Sequence, residues 1–276
     1  FMNITNSFIG TNGDNINDIN EGNLVSDSYV GIEIRGTENV LVAGNYVGTD
    51  RTGSVDLGNR FTGIHSRDAA GINTIGFEDS ATNTNPVHFR NVSSGNGTDG
   101  IRLTSSSNQH IAGNYIGTDA TGTSALANGG YGVQINGTVN NTILGTNANG
   151  NDDIKERNII SGNNSGFRFA NGGSGTNNQI KGNFVGVDIT GNSALPNMNI
   201  GIELNGPYTG TILGTEGDGV HDDVEGNVIS GNQDDGVRVF GITDGIIAGN
   251  NIGVGYDNTT ILGNAKRGIF MSGSVS

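Results

Sequence analysis

The chain has 276 residues, of which 49 are Gly, 3 are Pro and none are Cys or Trp, and its formal charge is −14. Asn adds roughly 40 more, so about a third of the chain is Gly or Asn, against a usual Gly share near 7%; both residues disfavour helix interiors, which excludes a helical protein. The glycines keep no three-residue period, which excludes collagen, and 13 scattered basic residues exclude the footprint that a nucleic-acid partner requires.

The opening FMNITNSFIG lacks the basic start and apolar middle of a signal peptide, and no run of about 18 apolar residues follows, so no membrane span is expected. A polar, acidic stretch, GTNGDNINDINEGN, begins at Gly10. GIEIRG then alternates apolar and polar residues with period 2 and predicts a strand of about four residues with one buried face; GVQING, GIELNG and GVRVFG read the same way. The segment GNYVGTDRTGSVDLGN starts at Gly44. It returns as GNYIGTDATGTSALAN from Gly113 and GNFVGVDITGNSALPN from Gly182, each 69 residues after the last, and in worn form as GNNIGVGYDNTTILGN from Gly249. Disorder, the rival reading of this composition, does not keep phase over four copies.

Each copy divides again at a Gly-Asn corner: VAGN ending at Asn45, SSGN at Asn96, IAGN at Asn114, ISGN at Asn163, IKGN at Asn183, ISGN at Asn232 and IAGN at Asn250. The intervals between corner glycines are 17 to 20 residues, or 32 where a GTDxTG segment intervenes. This spacing predicts an all-β parallel β-helix solenoid over residues 1–276, with about twelve coils in four units of three. At about 4.8 Å per coil the rod would be about 55–60 Å long. Val, Ile and Leu would fill the tube, and each corner Asn would share amide hydrogen bonds with the Asn stacked on it.

These runs, GNYIGTDATGTSALAN, GVQINGTVNNTILGT and RNIISGN above all, resemble the repeats of bacterial right-handed parallel β-helix proteins, the pectin-lyase-like solenoids of large secreted or cell-surface polypeptides. The resemblance covers essentially the whole chain and implies a right-handed coil and an extracellular or cell-surface location. It does not choose a function, because such rods serve lyases, hydrolases, epimerases, adhesins and filaments alike.

Three loops share one spacing. Counted from Gly10, Gly145 and Gly214, position +4 is Asp14, Asn149 or Asp218, position +8 is Asp18, Asp153 or Asp222, and position +11 is Glu21, Glu156 or Glu225. Three oxygen ligands in one short loop, completed by backbone carbonyls, make calcium the expected cofactor; the competing reading is a turn in which Asp and Asn cap the backbone. The second unit, GFEDSATNTNPVHFRN from Gly76, breaks the pattern. Tyr46, Tyr115 and Phe184 precede the GTDxTG loops. Alternation turns them outward when Val47, Ile116 and Val185 point in, which makes aromatic steps three coils apart that could stack on sugar rings, unless each ring covers its own loop. The carboxylate pairs Asp152/Asp153 and Asp222/Asp223 recur between units as scaffold would, Asp234/Asp235 stands apart, and His65, His88, His110 and His221 occupy unrelated contexts.

No catalytic residues are assigned. The chain reads as a non-enzymatic structural or adhesive rod, with a carbohydrate-binding or polysaccharide-cleaving β-helix as the alternative. Neither GIFMSGSVS nor the opening reads as a capping segment, so end-to-end self-association or neighbouring domains of the same polypeptide are the expected partners, with a polysaccharide as another.

Overall fold

The computed structural model describes residues 4–78 and 85–273; the first three residues of FMNITNSFIG, residues 79–84 of the second-unit loop and the last three of GIFMSGSVS lie outside them. The chain winds as a parallel β-solenoid. Sheet A runs from Thr5–Gly10 through Glu38–Ala43 to Ile246–Ala248, sheet B from Leu24–Val25 through Tyr46–Val47 to Asn251–Ile252, and sheet C from Ile32–Arg35 through Ile64–Arg67 to Ile269–Met271. Each sheet stacks eight successive strands, all parallel, and the short strand Gly175–Thr176 pairs beside sheet C.

The expected twelve coils are therefore eight. Ile64 pairs with Ile101 and Ile101 with Val133, steps of 37 and 32 residues that together make the 69-residue period, so one sequence unit is two turns. From first strand to last the stack spans about 34 Å. The overcount came from treating every Gly-Asn corner as a coil, whereas each turn has two such corners. Each turn also carries one long loop. The acidic loops join sheets A and B in alternate turns, and the GTDxTG loops join sheets B and C in the turns between.

The interior is built from columns of like residues. In sheet A the inward column is Ile9, Val42, Ile75, Ile111, Leu144, Ile180, Leu213 and Ile247. Sheet B contributes Val47, Ile116, Ile160, Val185 and Ile229, and sheet C contributes Ile64, Ile101, Val133, Phe167, Ile202 and Val237, all buried. A third of the chain being hydrophobic suffices because one narrow tube is all that must be filled.

Two asparagine ladders close the corners. Between sheets A and B, Asn23 donates from Nδ2 to Oδ1 of Asn45 (2.9 Å), and the chain of bonds continues through Asn91, Asn114, Asn158, Asn183 and Asn227 to Asn250, every step between 2.8 and 3.0 Å. Between sheets B and C the series is Asn59, Asn96, Asn128, Asn163, Asn197, Asn232 and Asn264. The stacking expected from the sequence is thus present twice over. Each Nδ2 also reaches back one turn to a strand carbonyl, as Asn114 does to Ile75 (2.9 Å).

Asn114→Ala removes a fully buried rung, takes the Asn114 donor from the Ile75 carbonyl and leaves the Asn91 amide only its bond to the Val42 carbonyl as a donor, and should cost about 2–3 kcal/mol. Asn114→Asp, which places a carboxylate against two carbonyls, should cost more. The midpoint of urea unfolding measures both, and an Asp variant as stable as wild type would refute the role given to the ladder.

Candidate functional site

The acidic loops fold on themselves. Each begins with a Thr whose Oγ1 accepts the N–H two residues on: Thr11 from Gly13, Thr146 from Ala148 and Thr215 from Gly217. The +4 side chain then accepts an N–H two residues on, as Asp14 does from Ile16, Asn149 from Asn151 and Asp218 from Val220, each at 2.8 Å. Asp18, Asp153 and Asp222 at +8 each open a short helical turn and accept the N–H three residues earlier, from Asn15, Gly150 and Gly219. Glu21 and Glu156 at +11 take the N–H of Asn12 and Asn147.

The shared spacing is therefore the spacing of a self-capping loop. Among the described residues no group of three or more His, Cys, Asp or Glu side chains is arranged to hold a metal ion. All of the +4, +8 and +11 carboxylates except Glu225 accept backbone N–H groups of their own loop.

The +11 position has a further use. Its backbone carbonyl receives the N–H of the tight corner one turn back, from Gly113 to Glu156 and from Gly182 to Glu225. In the aberrant second unit, Phe89 takes this place, bonded to Gly44 N–H and packed with Ala43 and Phe77. Glu156 lies 3.6 Å from His110, and Glu225 bonds Lys181 Nζ at 2.7 Å. Lys181 is buried, with Glu216 as its second carboxylate partner. Burial alone would lower the Lys181 amine, but the bonds from Glu216 and Glu225 outweigh it and hold its pKa above the ordinary value.

Tyr46, Tyr115 and Phe184 stand on the outer face of sheet B, two turns apart, and do not form exposed steps. Tyr115 and Phe184 are buried. The space beside Gly53, Gly122 and Gly191 of the GTDxTG loops is filled by these three rings in turn, and Arg90 and Arg157 lie over Tyr115 and Phe184 at 3.8 and 4.1 Å from the ring centres. The loop and the arginine take the faces that a sugar would need. The rings belong to a second apolar cluster with Val92, Ile159, Val187 and Val228.

The densest chemistry lies on the outer face of sheet C. Its central row reads Glu33, His65, Arg102, Gln134, Arg168, Glu203, Arg238 and Phe270, one residue per turn, with Arg at three alternate turns and different residues between. Arg35, Arg67 and Arg267 flank it, so six of the ten arginines gather on one face of an acidic protein. Asp99 is tied to Arg102 (2.6 Å) and Arg168 to the Tyr131 hydroxyl (2.9 Å). Arg238 and Arg267 both clasp Asp235, while Lys266 and Arg238 share Asp234. Tyr29 stacks flat on Phe61 at 5.5 Å with Arg102 over Phe61 at 4.4 Å, and Tyr29 is 70% exposed.

Burial pushes the His65 imidazole down and the Tyr131 phenol up. It would also raise Asp235, but hydrogen bonds from Arg267 and Arg238 prevail and hold that carboxyl below its usual range. The signal was available: in GIEIRG, GVQING, GIELNG and GVRVFG the inward residues are all aliphatic while the residue between them is charged or an amide, Glu33, Gln134, Glu203 and Arg238. His88 lies 3.7 Å from Asp18, and His221 precedes the helical turn Asp222–Glu225 in left-handed backbone. No helix among the described residues is long and apolar enough to cross a membrane.

No protein-family model, curated protein or solved structure matches the chain.

Lys181→Ala leaves Glu225 buried beside no cation and should cost about 3–5 kcal/mol. Adding Glu225→Phe, which copies the Ala43/Phe89 pairing of the second unit, should restore most of that loss in the same unfolding measurement. A double variant no better than the single would refute the equivalence of the two plugs. Asp235 gives a pH test. Its folded-state pKa is depressed, so its stabilisation is complete above the unfolded value near 3.8 and is lost as pH falls through the lower folded value. Asp235→Asn should lower stability at pH 7 and flatten the decline between pH 4 and 2, followed by circular dichroism; an unchanged acid limb would refute it.

Proposed function

We propose that the chain is a non-enzymatic structural or adhesive rod of a secreted or cell-surface assembly, in which the ladders supply stiffness and the outer face of sheet C supplies recognition. The supporting observation is a contrast within one molecule. The corners and loops recur every two turns, whereas the sheet C row keeps only Arg102, Arg168 and Arg238 at that spacing and changes around them through Glu33, His65, Gln134, Glu203 and Phe270. Five carboxylates of this face, Asp68, Asp99, Glu203, Asp234 and Asp235, are tied to an arginine or lysine, and Glu33 stands apart from them at the first turn, whereas polysaccharide cleavage needs paired carboxylates free to exchange protons. A right-handed coil, the hand of nearly all parallel crossovers, belongs to the same proposal. So does continuation of the shaft through further copies or neighbouring domains.

The stacked Tyr29–Phe61 pair favours a second reading in which the same face binds a polysaccharide. Paired charges and an aromatic face suit hydroxyl-rich, uncharged chains. Retention on a panel of immobilised neutral and acidic polysaccharides separates the two. Binding that weakens about three- to tenfold in Tyr29→Ala supports the second reading, no retention supports a purely structural rod, and release of unsaturated sugars would overturn both.

A further inference from the structure

Seven asparagines in the chain are followed by glycine: Asn12, Asn96, Asn128, Asn136, Asn149, Asn171 and Asn205. The pair is chemically labile because glycine has no side chain to shield its nitrogen. That nitrogen attacks the asparagine Cγ, a C–N bond forms, Nδ2 leaves as ammonia, and water opens the resulting succinimide to aspartate or isoaspartate. The reaction needs only water. It requires a free glycine N–H, a free side-chain amide and a backbone able to bring them together.

The fold grades the seven sites. Asn96 and Asn128 are ladder rungs, buried, with Nδ2 held by Asn128 and Asn163 in turn, and the N–H groups of Gly97 and Gly129 are bonded to Asn59 and Asn96. In the acidic loops Gly13 N–H is held by Thr11 Oγ1 and Gly150 N–H by Asp153. Asn136 and Asn205 lie in sheet C strands, half-buried, with Nδ2 on Gln134 and Glu203. Asn171 differs from all six. Asn171 and Gly172 form the exposed tip of a turn closed by Gly173 N–H to Ala170 O (3.1 Å), and neither the Asn171 amide nor the Gly172 N–H is hydrogen-bonded. Gly172 has φ +87° and open space where a Cβ would sit.

We infer that Asn171 is a spontaneous modification site, the position at which this chain deamidates in the folded state, while the ladder asparagines of identical local sequence are protected. The product adds a negative charge, and isoaspartate adds a backbone methylene, at a tip whose strand neighbours on both sides remain paired.

Folded protein is incubated at mildly alkaline pH, digested under acidic conditions and followed by peptide mass, with a urea-unfolded sample in parallel. In the folded sample the Asn171 peptide should exchange NH for O first, and Asn96 and Asn128 roughly a hundredfold more slowly or not at all, since they react only through opening of their rungs. In urea the seven should converge. Asn171→Gln should abolish the first acidic variant on isoelectric focusing while leaving the fold intact. Equal rates at Asn171 and the ladder sites in folded protein, or faster conversion at Asn12 or Asn149 than at Asn171, would overturn the inference.

Discussion

A solenoid must turn its chain at every corner without leaving strand carbonyls and corner amides unpaired, and in this protein one side chain meets that constraint. The corner Asn donates Nδ2 back to a carbonyl of the preceding turn and onward to the Asn of the next, while its Oδ1 accepts from the turn before. Most rungs are wholly buried, where an unmade bond costs the full desolvation of the group. Because every rung is donor and acceptor at once, its worth depends on the rungs on either side, and stability becomes a property of the stack. The two ladders take 15 of the roughly 40 asparagines, eight in one and seven in the other.

With the corners bonded this way, the insertions between them are free to differ, and the chain uses that freedom in alternation. A tight corner at one turn faces a long loop at the next, and the loop rests on the tight corner through its +11 residue. Glu156, Glu225 and Phe89 perform this packing with different chemistry: a carboxylate near a histidine, a carboxylate against a buried lysine, and a ring against apolar neighbours. The unit whose sequence departs from the acidic pattern keeps the position and changes the interaction. Glycine completes the corner where no side chain fits. At Gly145, with φ +98°, a Cβ would lie 1.8 Å from the Lys181 carbonyl.

The class of fold, the 69-residue period and the stacking of Asn on Asn were legible because each leaves a periodic trace. The number of turns was not, since a Gly-Asn corner looks the same whichever pair of sheets it joins and only strand register tells them apart. The +4, +8, +11 spacing was legible as one recurring loop, while the use of its oxygens was not, because oxygens that cap N–H groups and oxygens that bind a cation ask for the same residue types. Tyr115 and Phe184 were placed on the right face. Their covers, Arg90 and Arg157, come from the neighbouring turn and share no local pattern with them.

The place where function should be sought follows from the same constraint. Inward columns are fixed by the tube, corner positions by the ladders, and the outward row of sheet B by the loops that cover it. The outward row of sheet A is half-buried at His110, Ile143, Gln179 and Ile212. The outward row of sheet C, half-buried at Arg102, Gln134, Arg168 and Arg238, belongs to neither ladder, so its residues can vary without cost to the shaft. Those residues do vary, yet they are not the short polar filler of a merely solvated face. They are arginines, paired acids, a histidine and stacked aromatics, gathered on one side of a chain that is otherwise acidic. A surface that the fold leaves free and that nevertheless carries the least common side chains of the sequence is the surface on which selection for binding would act.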